Sequence, residues 1–188
     1  MRTLSPRVSR SSIGLALCAI LVVAPIAVGC TGAKSAPADA GRAGAPKLVS
    51  ALVDRVVDGD TAVMYLSNGS RVRVRFIGVD APEWTSQREA FGAQSAAYAK
   101  RRLTGRRVFL QIGVEKRDRY GRLLAYVWLD KPRNTSEAEL RDKQFNAQLL
   151  LEGYAQLLTV PPNTDYVEQY RVFQTEAREA NRGLWAQP

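Results

Sequence analysis

Val57-Asp58-Gly59-Asp60-Thr61-Ala62-Val63-Met64-Tyr65-Leu66, then Ser67-Asn68-Gly69-Ser70, then Arg71-Val72-Arg73-Val74-Arg75-Phe76-Ile77-Gly78-Val79-Asp80-Ala81-Pro82-Glu83 read as two strands and the turn that joins them. Asn-Gly between alternating runs is a strong hairpin signal. A two-residue turn at Asn68-Gly69 predicts Ser67 opposite Ser70, Asp60 opposite Ile77 and Ala62 opposite Arg75. Asp60 and Arg75 are then diagonal neighbours, about 7–8 Å apart at the backbone. Thr61, Val63, Tyr65, Val72, Val74 and Phe76 point the other way, into a core. Asp80 and Glu83 leave the sheet at the end where Asp60 enters it, so three carboxylates and an arginine share one rim. An extra loop residue or a bulge changes the pairs but not that shared end.

Outward from the hairpin, the strand pattern holds from Leu48 to Val79. Gln87 to Leu103 predicts a helix stopped at Gly105, and Lys100, Arg101 and Arg102 in its last turn suit the helix dipole rather than a nucleic-acid patch. Two more strands, Arg106–Ile112 and Leu123–Leu129, are joined by the charged loop Glu115–Arg122. Asn134–Lys143 reads as a polar surface insertion, and Phe145–Glu152 as a short helix stopped at Gly153. The last helix, about Asp165–Asn181, repeats Tyr166, Tyr170, Phe173, Ala177 and Ala180 on one packing face. Five strands with one helix after the third and helices at the end predict an α+β fold: a five-stranded OB-type Greek-key β-barrel with about three helices.

The 188 residues suffice for one domain with a hydrophobic core. The net charge of +9 falls to +6 when residues 1–30 are set aside, because Arg2, Arg7 and Arg10 go and no acid goes with them. Such a surplus favours a polyanionic partner. There is no histidine, which excludes imidazole acid–base catalysis, Ser-His-Asp and Cys-His systems, and His-ligated zinc. Hydrolytic chemistry here has to run on carboxylates, arginines, hydroxyls and a hard metal ion.

Residues 1–30 read as an export signal: three arginines, no acid, then an apolar run interrupted at Pro25 and shorter than the roughly 20 residues a membrane span requires. Ile26-Ala27-Val28-Gly29-Cys30 resembles a bacterial lipoprotein processing site, which makes Cys30 the expected lipidation residue and membrane anchor of a cell-envelope lipoprotein. Ordinary cleavage, for instance after Ala38-Asp39-Ala40, gives a secreted protein instead. Residues 31–46, rich in Ala, Gly, Pro and Ser, read as a flexible tether, and 47–188 as the folded domain. The two cysteines, Cys18 and Cys30, both precede it, so the domain has no internal disulfide.

Four segments in order carry a family resemblance: Val57-Asp58-Gly59-Asp60-Thr61, Arg75-Phe76-Ile77-Gly78-Val79-Asp80-Ala81-Pro82-Glu83, Asp118-Arg119-Tyr120-Gly121-Arg122-Leu123-Leu124-Ala125-Tyr126 and Asn181-Arg182-Gly183-Leu184-Trp185. From about Leu48 to Trp185 the chain resembles the staphylococcal nuclease (thermonuclease) family of calcium-dependent OB-fold nucleases. The resemblance implies Ca2+ bound by Asp60, Asp80 and the carbonyl of Ala81, with Asp58 behind that set. It implies Arg75 and Arg122 on the scissile phosphate, Glu83 acting on the attacking water, and Arg119 and Tyr120 on the substrate. The expected partners are DNA and RNA, preferably single-stranded, met by a monomer. Oxygen-only donors suit a hard ion such as Ca2+, and two guanidinium groups suit charge growing on phosphoryl oxygens.

Each segment alone has a bland explanation: Asp-Gly-Asp is a common turn, Asp80-Ala81-Pro82-Glu83 a strand exit with acids at a helix start, Arg71, Arg73 and Arg75 a solubilised sheet edge. Those explanations do not place all five groups at the family's spacings. The chain departs from the family at Leu158 and Val160, where the family usually has tyrosines facing the nucleotide. The competing function is a non-catalytic OB-fold lipoprotein that binds nucleic acid or protein.

Overall fold

The computed structural model describes residues 45–84 and 89–186. The signal segment, Cys30 and most of the expected tether lie outside the described residues. In chain order the elements are β1 (Val49–Asp58), β2 (Thr61–Leu66), β3 (Arg71–Phe76), β4 (Val79–Asp80), α1 (Gly92–Leu103), β5 (Arg107–Arg117), β6 (Leu123–Trp128), α2 (Glu137–Lys143), α3 (Phe145–Leu151), β7 (Gln156–Leu157) and α4 (Val167–Glu179), followed by a 3-10 turn at Gly183–Trp185. Five strands close a barrel in the order β1-β2-β3-β6-β5, with β5 returning antiparallel to β1 and β3 running parallel to β6. This is the α+β OB-type barrel expected, and closure removes the exposed strand edges an open sheet would carry. No helix among the described residues is long and apolar enough to cross a membrane.

The hairpin register differs by one residue from the expected one. Leu66 and Ser70 face each other across a three-residue loop, Ser67-Asn68-Gly69; the Leu66 N–H donates to the Ser70 carbonyl at 2.9 Å. Gly69 sits at φ 83°, the left-handed position that a type I turn with a bulge requires. Thr61 therefore faces Arg75, and Ala62 faces Val74. A one-residue slip exchanges faces, so Ala62 and Met64 join the core cluster while Tyr65 is 41% exposed. Thr61 and Val63 are buried, but on the opposite side of the strand; Val72, Val74 and Phe76 keep the side expected of them.

Other boundaries shift for local reasons. The helix expected from Gln87 starts at Gly92, after Phe91 in a left-handed conformation. The loop Glu115–Arg122 shrinks to a turn because β5 continues to Arg117, which pairs with Leu123. Asn134–Lys143 is not merely a surface insertion: Ser136 caps α2, and Leu140 and Glu139 are buried beneath it. That helix brings the total among the described residues to four. On α4, Tyr170, Phe173 and Ala177 form the packing face, with Tyr166 just ahead of the helix, but Ala180 is exposed beyond its end.

Two glycines position the rim. A Cβ on Gly59 would lie 2.6 Å from the Cβ of Ala81, so only glycine lets the β1–β2 turn approach the exit of β4. Gly78 combines φ +78° with the Tyr170 ring, which a Cβ would meet at 2.6 Å. The bend at Ile77 is held by Asn146, whose amide donates to the Ile77 carbonyl at 2.8 Å while its oxygen accepts the Val127 N–H at 2.8 Å. The short pair β4–β7 then carries Asp80 out beside Gln156.

Candidate active site

Asp60 ends the β1–β2 turn, and its carbonyl accepts the Phe76 N–H at 2.9 Å, which ties it to β3. Its side chain is buried: Oδ2 accepts the Ala81 N–H at 2.8 Å and Oδ1 accepts the Thr61 hydroxyl at 2.9 Å. Burial raises its pKa above the ordinary carboxylate value, opposed by the Arg75 guanidinium and these two hydrogen bonds. Such a carboxylate gains from a nearby cation.

Arg75 supplies one. Its NH2 nitrogen lies 3.3 Å from Oδ2 of Asp60 and 2.8 Å from Oδ1 of Asp80, so the two acids share one guanidinium nitrogen. NH1 donates to the carbonyls of Phe76 and Val79, at 2.9 and 2.6 Å, so the 76–79 bend wraps the guanidinium. Asp60 and the Arg75 side chain are thus enclosed, whereas the Asp80 side chain is 60% exposed and open to a ligand.

Across a pocket of about 430 Å³, Arg75 faces Arg119, Tyr120 and Arg122. Arg122 Nε donates to Oδ2 of Asp118 at 2.6 Å, and Oδ1 of that acid accepts the main-chain N–H groups of Tyr120 and Arg122 at 3.0 and 2.9 Å. Burial would raise the pKa of Asp118, but the bonds from Arg122 outweigh it and hold the carboxyl below its usual range. The Tyr120 ring lies beside both arginines, 4.8 Å from Arg119 Cζ and 5.4 Å from Arg122 Cζ, within cation–π range. Leu158 and Val160 line the same pocket, so the two family departures fall on its wall.

Asp60, Arg75, Asp80 and Ala81 are therefore joined by direct contacts, and Arg75, Arg119, Tyr120 and Arg122 surround one pocket. Glu83 is placed through its backbone: its N–H donates to the Glu89 carboxylate at 3.0 Å and its carbonyl accepts the Glu89 N–H at 2.8 Å. Asp58 is buried and accepts the Trp84 N–H at 3.3 Å, which anchors the segment after Glu83. Among the described residues no group of three His, Cys, Asp or Glu side chains is gathered for a metal. Two acids drawn to a single cationic nitrogen, one of them buried, nevertheless fit a hard cation completed by a carbonyl and water.

Sequence reasoning missed Asp118 as the holder of Arg122, although an acid four residues before an arginine across a Gly turn was its signal. It also missed Asn163, whose side chain accepts the Glu115 N–H at 3.1 Å and donates to the Glu115 carbonyl at 3.0 Å, pinning the loop after Val160 to β5.

The staphylococcal nuclease homologue family model matches residues 73–187. A thermonuclease of Staphylococcus intermedius is 37% identical over 139 residues, covering 72% of this chain and 76% of that protein. A thermonuclease of Staphylococcus hyicus is 34% identical, covering 71% and 74% respectively. Endonuclease YncB of Bacillus subtilis is 32% identical, covering 74% of this chain and 63% of its own length. With the barrel and the Asp60–Arg75–Asp80 cluster already in place, these matches put the chain in the staphylococcal nuclease family, among hydrolytic endonucleases of that type.

Proposed function

We infer that this nuclease is a calcium-dependent enzyme that hydrolyses phosphodiester bonds of DNA and RNA, preferably in single strands, as a monomer outside the cytoplasm. The observation that carries the reading is the sharing of one Arg75 nitrogen by Asp60 and Asp80, 3.3 and 2.8 Å away, on the edge of the pocket that holds Arg122. Asp60, Asp80 and the Ala81 carbonyl would hold Ca2+, which supplies positive charge to the phosphoryl oxygens.

The chain's own groups do the rest. Arg75 and Arg122 donate to the phosphate and neutralise the charge that grows on it in the transition state. Asp118 engages Nε of Arg122 at 2.6 Å and leaves the terminal nitrogens for the substrate. Glu83 takes the proton of the attacking water as its oxygen bonds to phosphorus. The bond from phosphorus to the 5′ oxygen breaks and that oxygen takes a proton from solvent, giving a 5′-hydroxyl and a 3′-phosphate, as in the family the chain resembles. Arg119 and Tyr120 hold the flanking nucleotide.

The N-terminal residues support an envelope location: Cys30 carries lipid, and residues 31–46 tether the domain to the membrane. A Cys30→Ser chain is then released from the membrane fraction.

Purified protein incubated with single-stranded DNA or RNA tests the activity. Cleavage should stop on chelation and return with Ca2+, and Mg2+ should substitute poorly because its tight octahedral shell dehydrates reluctantly. Full activity in excess chelator would overturn the metal assignment.

A further inference from the structure

The outer face of β1, β2 and β3 carries a second cationic feature outside the pocket. Arg55 faces Val63 and Val63 faces Arg73, which makes one cross-strand row. The next row toward the site is Asp58, Thr61 and Arg75; the next toward the hairpin turn runs from Leu52 through Tyr65 to Arg71. Alternate residues of a strand share a face and lie about 7 Å apart, so Arg75, Arg73 and Arg71 form a line from the active-site arginine toward the turn.

A groove of about 480 Å³ opens between Arg55, Arg71 and Arg73, with Val57 and Val63 also lining it, and it shares no lining residue with the pocket at Arg122. Arg71 gives part of its charge to Asp54, 2.8 Å away. Among the described residues neither Arg55 nor Arg73 pairs with a carboxylate. They stand two strand spacings apart, about 10 Å, where like charges repel unless an anion lies between them. Tyr65 presents a half-open ring beside Arg71, whose Cζ is 5.9 Å from the ring centre.

We propose that this face is a binding track for the sugar-phosphate backbone of the substrate strand beyond the cleavage point, with Arg55 and Arg73 contacting phosphates and Tyr65 stacking on a base. It deepens the nuclease reading and rests on it for the identity of the strand. Charge complementarity and continuity with Arg75 select a nucleic-acid strand as the occupant. The track makes the enzyme favour long chains over fragments that fill only the pocket.

The test compares the parent, Arg55→Ala/Arg73→Ala and Arg55→Lys/Arg73→Lys on a labelled 20-nucleotide oligothymidylate and on a dinucleoside phosphate. Binding is measured in chelator across a salt series and hydrolysis in Ca2+. For the alanine pair, 20-mer affinity should fall about 10-fold at low salt. Its slope of log affinity on log salt should be shallower by about 1.4, two phosphate contacts at about 0.7 each on a single strand. The ratio of kcat/KM on the 20-mer to that on the dinucleotide should also fall about 10-fold, and the lysine pair should restore the slope. A folded alanine pair with the parental slope and ratio overturns the track. If the parent binds the 20-mer with this arginine-dependent slope but cuts neither substrate, the hydrolytic reading fails and the track stands; if it binds no strand, both fail. An alanine pair that loses only its affinity for anionic phospholipid vesicles would assign the face to a membrane and overturn the proposal.

Discussion

Arg122 and Asp118 are locked together: Nε of the arginine lies 2.6 Å from Oδ2 of the acid, whose Oδ1 accepts the arginine's own main-chain N–H at 2.9 Å. One edge of the guanidinium is thereby committed to the turn and the other is left for the pocket. A lysine keeps the charge but has no planar fork with which to hold Asp118 and a phosphate together. Arg122→Lys should lower kcat on DNA by about 10²-fold, the loss typical of one transition-state donor, with little change in melting temperature. Parental kcat in the folded variant would remove Arg122 from the chemistry.

The pocket wall formed by Leu158 and Val160 leads to a second expectation. Both are exposed, at 40% and 54%, and neither offers a ring to a base. Mononucleotides should therefore bind weakly. Leu158→Tyr/Val160→Tyr should tighten mononucleotide binding about tenfold or more, since stacking on an aromatic is worth about 1–3 kcal/mol per base. Calorimetric titration gives the comparison, and an unchanged Kd would show that the base does not rest on this wall.

The barrel and the meeting of Asp60, Arg75 and Asp80 at one rim were legible because they depend on local pattern: alternation, Asn-Gly, and carboxylates at strand exits. The register was not. Two- and three-residue hairpin loops both use Asn-Gly, and one extra residue exchanged Ala62 and Met64 for Thr61, Val63 and Tyr65 on the core face. Helix α2 was hidden because it sends so few side chains inward, chiefly Leu140, amid a polar stretch. The pair β4–β7 is too short to show a period. Asn146 and Asn163 act on residues far away in the chain, so no local spacing announces them.

Glu139, buried under α2, makes stability depend on pH. It accepts from Lys143 Nζ at 2.7 Å and from Arg133 Nε and N at 2.9 and 3.0 Å. The Lys143 bond above all, with those from Arg133 and against the cost of burial, brings its pKa from the ordinary 4.5 down to about 2. A depressed folded-state pKa adds stability that is complete above the unfolded value and is lost as pH falls through the folded one. Glu139→Gln should thus lower the melting temperature at pH 7, with the gap to the parent closing between pH 4.5 and about 2. A gap that stays constant across that range would contradict this account.

The most direct test of the active site is the initial rate of single-stranded DNA hydrolysis in Ca2+ by the parent and by Glu83→Gln. The substitution keeps size and polarity but removes the carboxylate proposed to take the proton of water. The rate should fall by roughly the 10²–10⁴ typical of a lost acid–base group, while affinity for the strand is retained. A folded Glu83→Gln protein that cuts DNA at the parental rate would contradict the assignment of this site.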